Sequence, residues 1–120
     1  MRASLFLVIT AALGCAGISL PAGAQTTEQD VRCLLASNVF AATEKDATKK
    51  QVATASALFY LGRLDARMTL PQLKAQILAQ GKTLTGKTVG DVMNVCAREL
   101  QAKQRAVQAM GQEIAKSQKK

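Results

Sequence analysis

The chain of 120 residues contains no histidine and no tryptophan, and it has only one tyrosine and three phenylalanines. Without histidine, the side chain that enzymes use most often as a general base is missing. It is also the commonest nitrogen ligand for metals. Few aromatic rings are left on which the bases of a nucleic acid could stack. The composition therefore argues against catalysis, a cofactor or metal site, and nucleic-acid binding.

Long apolar runs are also missing. The longest run, residues 5–16, is interrupted twice and falls short of the roughly 20 apolar residues that a membrane-spanning helix needs. A positive start at residues 1–2 and a small-x-small pattern at residues 22–24 flank it, as in an export signal. We predict a signal peptide at residues 1–24 and a mature helical domain at residues 25–120 in the periplasm. Lipidation at Cys15, which would anchor the protein to a membrane, is the alternative.

Cysteines are scarce, since Cys33 and Cys96 are the only two outside the predicted signal. An even number of cysteines in an oxidising compartment predicts one disulfide bond. The two residues lie 63 positions apart, and closing a loop of that size stabilises a fold by roughly 4 kcal/mol in the entropic model. A domain this small benefits from such a cross-link.

Acidic residues are half as numerous as basic ones, so the whole chain carries a formal charge of +8. Removal of the predicted signal takes away Arg2 and lowers this charge by one. An exported basic protein meets anionic lipid, anionic envelope polymers or acidic proteins, and these are the partners that the charge predicts. The basic tail, residues 116–120, adds to this surface. The charge has a simpler explanation in solubility.

Alternating patterns typical of strands are absent, and the hydrophobic periodicity is helical throughout. We predict an all-α fold, a small four-helix bundle with one disulfide bond and a long C-terminal helix. Cap signals place the helices at 26–43, about 51–68, 69–81 and 88 to beyond 115, with charged connections at 44–50 and 82–87. Thr88 and Asp91 are the predicted cap of the last helix.

The second predicted helix is apolar almost all round and is expected to lie at the centre of the bundle. Its polar residues form one narrow stripe of Ser56, Tyr60, Arg63 and Arg67. We predict that this stripe is a face that points into solvent. The alternative is a contact site for an anion through Tyr60, Arg63 and Arg67, because two guanidinium groups lie beside a phenol.

The last predicted helix has one apolar line along its length, interrupted only by Glu99 and Lys103. A helix over residues 89–117 is roughly 43 Å long, more than the other helices can cover. Val107, Met110 and Ile114 are therefore predicted to form an uncovered apolar stripe that serves as an interface or a client-binding surface. The alternative is that the helix bends back onto the first helix.

Residues 81–88 match the phosphate-binding pattern GxxxxGK[ST]. That pattern works after a buried strand, but here a helix precedes it, and we therefore predict no nucleotide site. A weaker anion contact through Lys82 and Lys87 at the start of a helix remains open.

Short motifs at corresponding places resemble the HdeA-type periplasmic acid-stress chaperones. They are Cys33-Leu34-Leu35 in the first helix, Tyr60-Leu61-Gly62 in a central helix, Cys96 in a later helix and the lysine-rich tail. The resemblance implies a small helical fold in which Cys33 is bridged to Cys96. It also implies a homodimer that loosens in acid and exposes apolar surface to unfolded client proteins.

Two functions follow as expectations. The first is a non-enzymatic periplasmic binding protein that acts as an acid-stress chaperone for unfolded clients. The second is a basic envelope module that binds anionic lipid, an anionic polymer or one partner protein at neutral pH. An inert structural or inhibitor-like partner of one protein is a third possibility.

Overall fold

The computed structural model describes residues 25–119, and these form four α-helices. The helices are α1 (Thr27–Thr43), α2 (Ala47–Asp65), α3 (Leu70–Gly81) and α4 (Thr88–Ser117). No strand occurs in this part of the chain. The predicted all-α four-helix fold with a long last helix is confirmed. The predicted signal peptide, with Cys15 inside it, lies outside the described residues.

Side-chain caps set where three of the helices begin. Thr26 and Gln29 form a reciprocal capping box at the start of α1, and Thr69 and Gln72 form one at the start of α3. Asp46 caps α2 by accepting a hydrogen bond from the backbone N–H of Lys49. The second helix therefore begins inside the predicted connection at 44–50, and it ends at residue 65 rather than 68.

The predicted cap of α4 is wrong. The hydroxyl of Thr88 accepts a hydrogen bond from the backbone N–H of Thr85 instead of capping the amide of Asp91. Thr85 in return accepts a longer bond from the backbone N–H of Thr88. The loop before α4 therefore satisfies some of its own polar groups through these two threonines.

Helix α1 occupies the centre of the bundle and packs against α2, α3 and α4. Apolar residues on both of its faces make this possible. The main core cluster surrounds it and consists of Val31, Cys33, Leu34, Ala57, Tyr60, Leu64, Leu73 and Cys96. A smaller cluster of Ala36, Ala53 and Met93 continues the packing towards the other end of α1.

The predicted central position of α2 is wrong, and so is the prediction that its polar stripe faces solvent. Ser56 and Tyr60 are fully buried, whereas Leu58 and Leu61 are 66% and 40% exposed. The polar stripe turns inward because α1 and α4 offer polar partners for it. The apolar residues on the opposite side of α2 are left outside as a consequence.

The predicted disulfide bond joins Cys33 of α1 to Cys96 of α4, with 5.6 Å between the two Cα atoms. Both cysteines are buried in the main cluster. The bond fixes the first half of α4 against the centre of the bundle. It therefore also sets the direction in which the second half of α4 leaves the bundle.

Candidate functional site

The second half of α4 extends beyond the bundle. Leu100 is the last buried residue of this helix, and every residue from 101 to 119 is exposed. The apolar line that packs against the bundle up to Leu100 continues into this exposed half. We call Val107, Met110 and Ile114 the α4 stripe; their exposed fractions are 61%, 53% and 57%. The stripe is uncovered within the described part of the chain, and the helix does not bend back onto α1.

A groove marks the base of the α4 stripe. Phe59 of α2 and Leu100 of α4 form its apolar wall, and Val107 forms its outer end. Lys103, Gln104 and Gln108 complete the lining. An apolar side chain carried by another polypeptide could enter this groove while contacting the stripe.

Polar groups hold α4 to the bundle directly beneath the groove. The hydroxyl of Tyr60 donates a hydrogen bond of 3.1 Å to the backbone carbonyl of Cys96. Burial, followed by the negative charge of Glu99, raises the pKa of Tyr60 to about 12. Tyr60 is therefore a neutral hydrogen-bond donor across the whole physiological range.

Arg63 connects three helices through two carboxylates. Its Nε atom lies 3.1 Å from Oδ2 of Asp30 on α1, and its Nη1 atom lies 3.1 Å from Oε1 of Glu99 on α4. Its guanidinium group also lies over the ring of Phe59, 5.6 Å from the ring centre. The charge network thus joins the base of the protruding half of α4 to α1 and α2.

Asp30 is the buried centre of this network. Its side chain is fully buried, and its Oδ2 atom binds both Arg63 and Arg67. Its Oδ1 atom has no hydrogen-bond partner among the described residues. A buried carboxylate depends strongly on its cationic partners, because an unpaired charge in the interior costs several kcal/mol.

A second polar contact lies further along α1. The hydroxyl of Ser37 donates to the hydroxyl of Ser56 on α2 over 2.8 Å and also contacts the sulfur of Met93 at 3.6 Å. All three side chains are buried. Ser56 and Tyr60 are therefore buried between α2 and its neighbours, whereas the partly exposed Arg63 and Arg67 reach Asp30 of α1 from the edge of the bundle.

The residues predicted as anion contacts fall into two groups that lie in different parts of the structure. Tyr60 is buried, and the guanidinium groups of Arg63 and Arg67 bind carboxylates of the same chain. These three residues therefore form a structural network and are not an open anion site. Lys82 and Lys87 lie elsewhere, exposed in the loop between α3 and α4.

The GxxxxGK[ST] segment connects two helices, α3 and α4. In a nucleotide-binding loop the threonine hydroxyl would hold magnesium, but here the hydroxyl of Thr88 pairs with Thr85. The strand that should precede the motif is absent from the described residues. These features agree with the sequence argument against a nucleotide site.

Residues 25–119 offer no candidate for a metal site and none for a membrane-spanning helix. No group of three or more metal-ligating side chains of the histidine, cysteine and carboxylate types comes together there. No helix in that range is long and apolar enough to cross a membrane.

Sequence reasoning missed the role of Asp30. Asp30, Cys33, Leu34 and Ser37 follow each other at helical spacing on one face of α1, and this face meets the polar stripe of α2. The sequence did contain a signal for this role, because a carboxylate and a serine share one face of α1 with a core cysteine. Glu99, which interrupts the apolar line of α4, is explained by its pairing with Arg63.

Comparison of the chain with protein-family models, with curated proteins and with solved structures finds no match.

Proposed function

We propose that this chain is an exported, non-enzymatic binding protein that holds apolar segments of unfolded client proteins on the α4 stripe. The observation that carries the proposal is the continuity of one apolar line along α4, covered by the bundle up to Leu100 and uncovered beyond it. Exposed apolar stripes on a rigid support are typical of interaction surfaces. The adjoining groove at Phe59 enlarges the apolar surface on offer.

Export to an oxidising compartment is part of the proposal. A buried disulfide between α1 and α4 is compatible with it, because such bonds persist in the periplasm and are rare in the cytosol. The pattern of residues 1–24 adds the features of an export signal.

The network around Asp30 supports acid as the trigger. Arg63 and Arg67 bring two positive charges to the junction of α1, α2 and α4, where they bind the carboxylates of Asp30 and Glu99. Acid neutralises carboxylates as a class and leaves arginines charged, so the net positive charge of this basic chain rises and repulsion among its cations grows. The bundle loosens, and the disulfide keeps α1 and α4 connected while apolar surface becomes available.

A client-aggregation assay at about pH 3 and at neutral pH tests this function. The wild-type protein should suppress aggregation more strongly in acid. The triple variant Val107→Gln, Met110→Gln and Ile114→Gln should lose most of this protection. Glutamine supports a helix well, so α4 should be retained. The matched control is Ala102→Gln with Ala109→Gln, on the opposite side of the same helix, which should protect like the wild type.

Absence of protection at both pH values would contradict the chaperone proposal. Equal loss of protection in the stripe variant and in the control would contradict the assignment to the α4 stripe. Circular dichroism of each variant at neutral pH identifies any that fails to fold.

The second candidate is a basic module for anionic envelope surfaces at neutral pH. It is favoured by the exposed cations Arg105, Lys116 and Lys119, which lie off the α4 stripe. Binding of the protein to vesicles containing anionic lipid, with loss of binding as salt rises from about 0.05 to 0.5 M, would support it. Unchanged binding after Arg105→Gln with Lys116→Gln would contradict it.

A further inference from the structure

The α4 stripe belongs to a seven-residue repeat that runs along the whole helix. Two positions of each repeat lie on one line of the helix, alternately four and three residues apart. The residues at these positions are Val89, Met93, Cys96, Leu100, Lys103, Val107, Met110 and Ile114. Such a repeat makes a seam narrower than the face of about 100° that a helix presents to a core or to a membrane. It is the pattern by which one helix pairs with another. The uncovered half of the seam therefore fits a second helix better than a lipid surface.

The charges beside the seam indicate the orientation of that second helix. Lys103 lies on the seam near the base of the protruding half, and Glu113 lies at its edge near the tip. If a second copy of α4 ran parallel, Lys103 would face another Lys103. If it ran antiparallel, each Lys103 would lie beside Glu113 of the other copy. Antiparallel pairing therefore makes the two copies complementary in charge.

The length of the protruding half fits the same arrangement. From Leu100 to the end of α4 at Ser117 the helix extends about 26 Å beyond its last buried residue. In an antiparallel pair centred between Val107 and Met110, Ser117 of the second copy lies opposite Leu100. The second helix thus ends where α2 begins to cover the seam.

The groove at the base receives the tip of the second helix. Phe59, Leu100 and Lys103 line this groove. In the same register Ile114 of the second copy faces Lys103, so its side chain can pack against Phe59 and Leu100. We propose that two copies of this chain form an antiparallel dimer through the protruding halves of α4.

This pairing does not depend on the chaperone proposal, because a dimer can form whether or not the same stripe also binds client proteins. Oligomeric state and protection against aggregation are separate measurements. A dimer that does not protect client proteins would contradict the proposed function and leave the pairing in place. A monomer that protects client proteins would contradict the pairing and leave the proposed function in place.

Sedimentation equilibrium of the purified protein at neutral pH, over about 1–200 µM, tests the dimer and its charges. The wild type should sediment as a dimer at the upper end. Lys103→Glu and Glu113→Lys should each raise the dissociation constant by about tenfold, because two attractive contacts become repulsive. The double reversal Lys103→Glu with Glu113→Lys should restore the wild-type constant. A monomer at all concentrations, or a dimer that neither single reversal weakens, would overturn the proposal.

Cysteine cross-linking tests the orientation. An equimolar mixture of Lys103→Cys and Ile114→Cys proteins should form a covalent mixed dimer under mild oxidation. Each variant alone should form little, because the two copies of one residue then lie about 16 Å apart along the pair. Efficient cross-linking of Lys103→Cys alone would indicate parallel helices and overturn the antiparallel pairing. Because Cys33 and Cys96 are already joined and buried, they should not compete.

Discussion

Asp30 of α1 and Arg63 of α2 form an ion pair with 3.1 Å between Oδ2 and Nε, and the carboxylate is fully buried. Arg63 extends the contact to Glu99 of α4, and Arg67 adds a second cation to Asp30. Three helices therefore meet at one buried carboxylate. This junction lies at the base of the protruding half of α4 and positions it together with the disulfide bond.

The first prediction concerns this junction. Arg63→Met should lower the free energy of unfolding by about 2 kcal/mol at neutral pH, because Glu99 loses its partner and Asp30 keeps only Arg67. The double variant Arg63→Met with Glu99→Met should recover part of the loss, since no unpaired carboxylate remains on α4. Urea denaturation followed by circular dichroism measures both. Equal stability of Arg63→Met and wild type would show that the network does not hold the helices together.

Tyr60 provides a prediction for alkaline pH. Its pKa in the folded protein is about 12, whereas an unfolded chain has the usual value near 10. Between these values the unfolded state loses the phenolic proton first, so stability should fall by up to about 2–3 kcal/mol as pH rises from 10 to 12. Below pH 10 the phenol of Tyr60 does not change the free energy of unfolding with pH. Tyr60→Phe lacks the phenol and should lose this part of the decline.

Ultraviolet absorbance of tyrosinate reports this titration without interference, because Tyr60 is the only tyrosine and the chain has no tryptophan. The native protein should titrate near pH 12 and the urea-unfolded protein near pH 10. A native midpoint near 10 would mean that Tyr60 is not buried against Cys96 and Glu99.

Removal of the disulfide bond should be costly. Cys33→Ala with Cys96→Ala should lower the free energy of unfolding by roughly 4 kcal/mol, because the bond closes a loop of 63 residues in the unfolded chain. Denaturation midpoints of this variant and the wild type measure the difference. A change below about 1 kcal/mol would show that the bond contributes little beyond the packing of α1 and α4.

Much of the architecture could be predicted because it depends on local signals. The capping boxes at Thr26 and Thr69 fix the starts of α1 and α3, and the apolar line of α4 predicts both its length and its overhang. The disulfide bond follows from the number of cysteines and the predicted compartment. The capping boxes and the apolar line can each be recognised in a single segment of the sequence, and the disulfide bond can be predicted from the cysteines alone.

The orientation of α2 could not be predicted from α2 alone. Its polar stripe resembles a solvent-facing edge, and only the position of Asp30, Ser37 and Glu99 on the neighbouring helices turns it inward. That choice depends on contacts between residues 19 to 39 positions apart in the sequence. A helix wheel shows which residues share a face and does not show what that face meets.

Site-specific photo-cross-linking shows whether client proteins bind at the α4 stripe. A photoreactive amino acid is placed either at Val107 on the stripe or at Arg105 on the far side of the same exposed helix, and the protein is illuminated with an aggregating client at about pH 3. Client adducts should form at position 107, and few should form at position 105. Equal adducts from both positions, or adducts from neither, would contradict binding at the stripe.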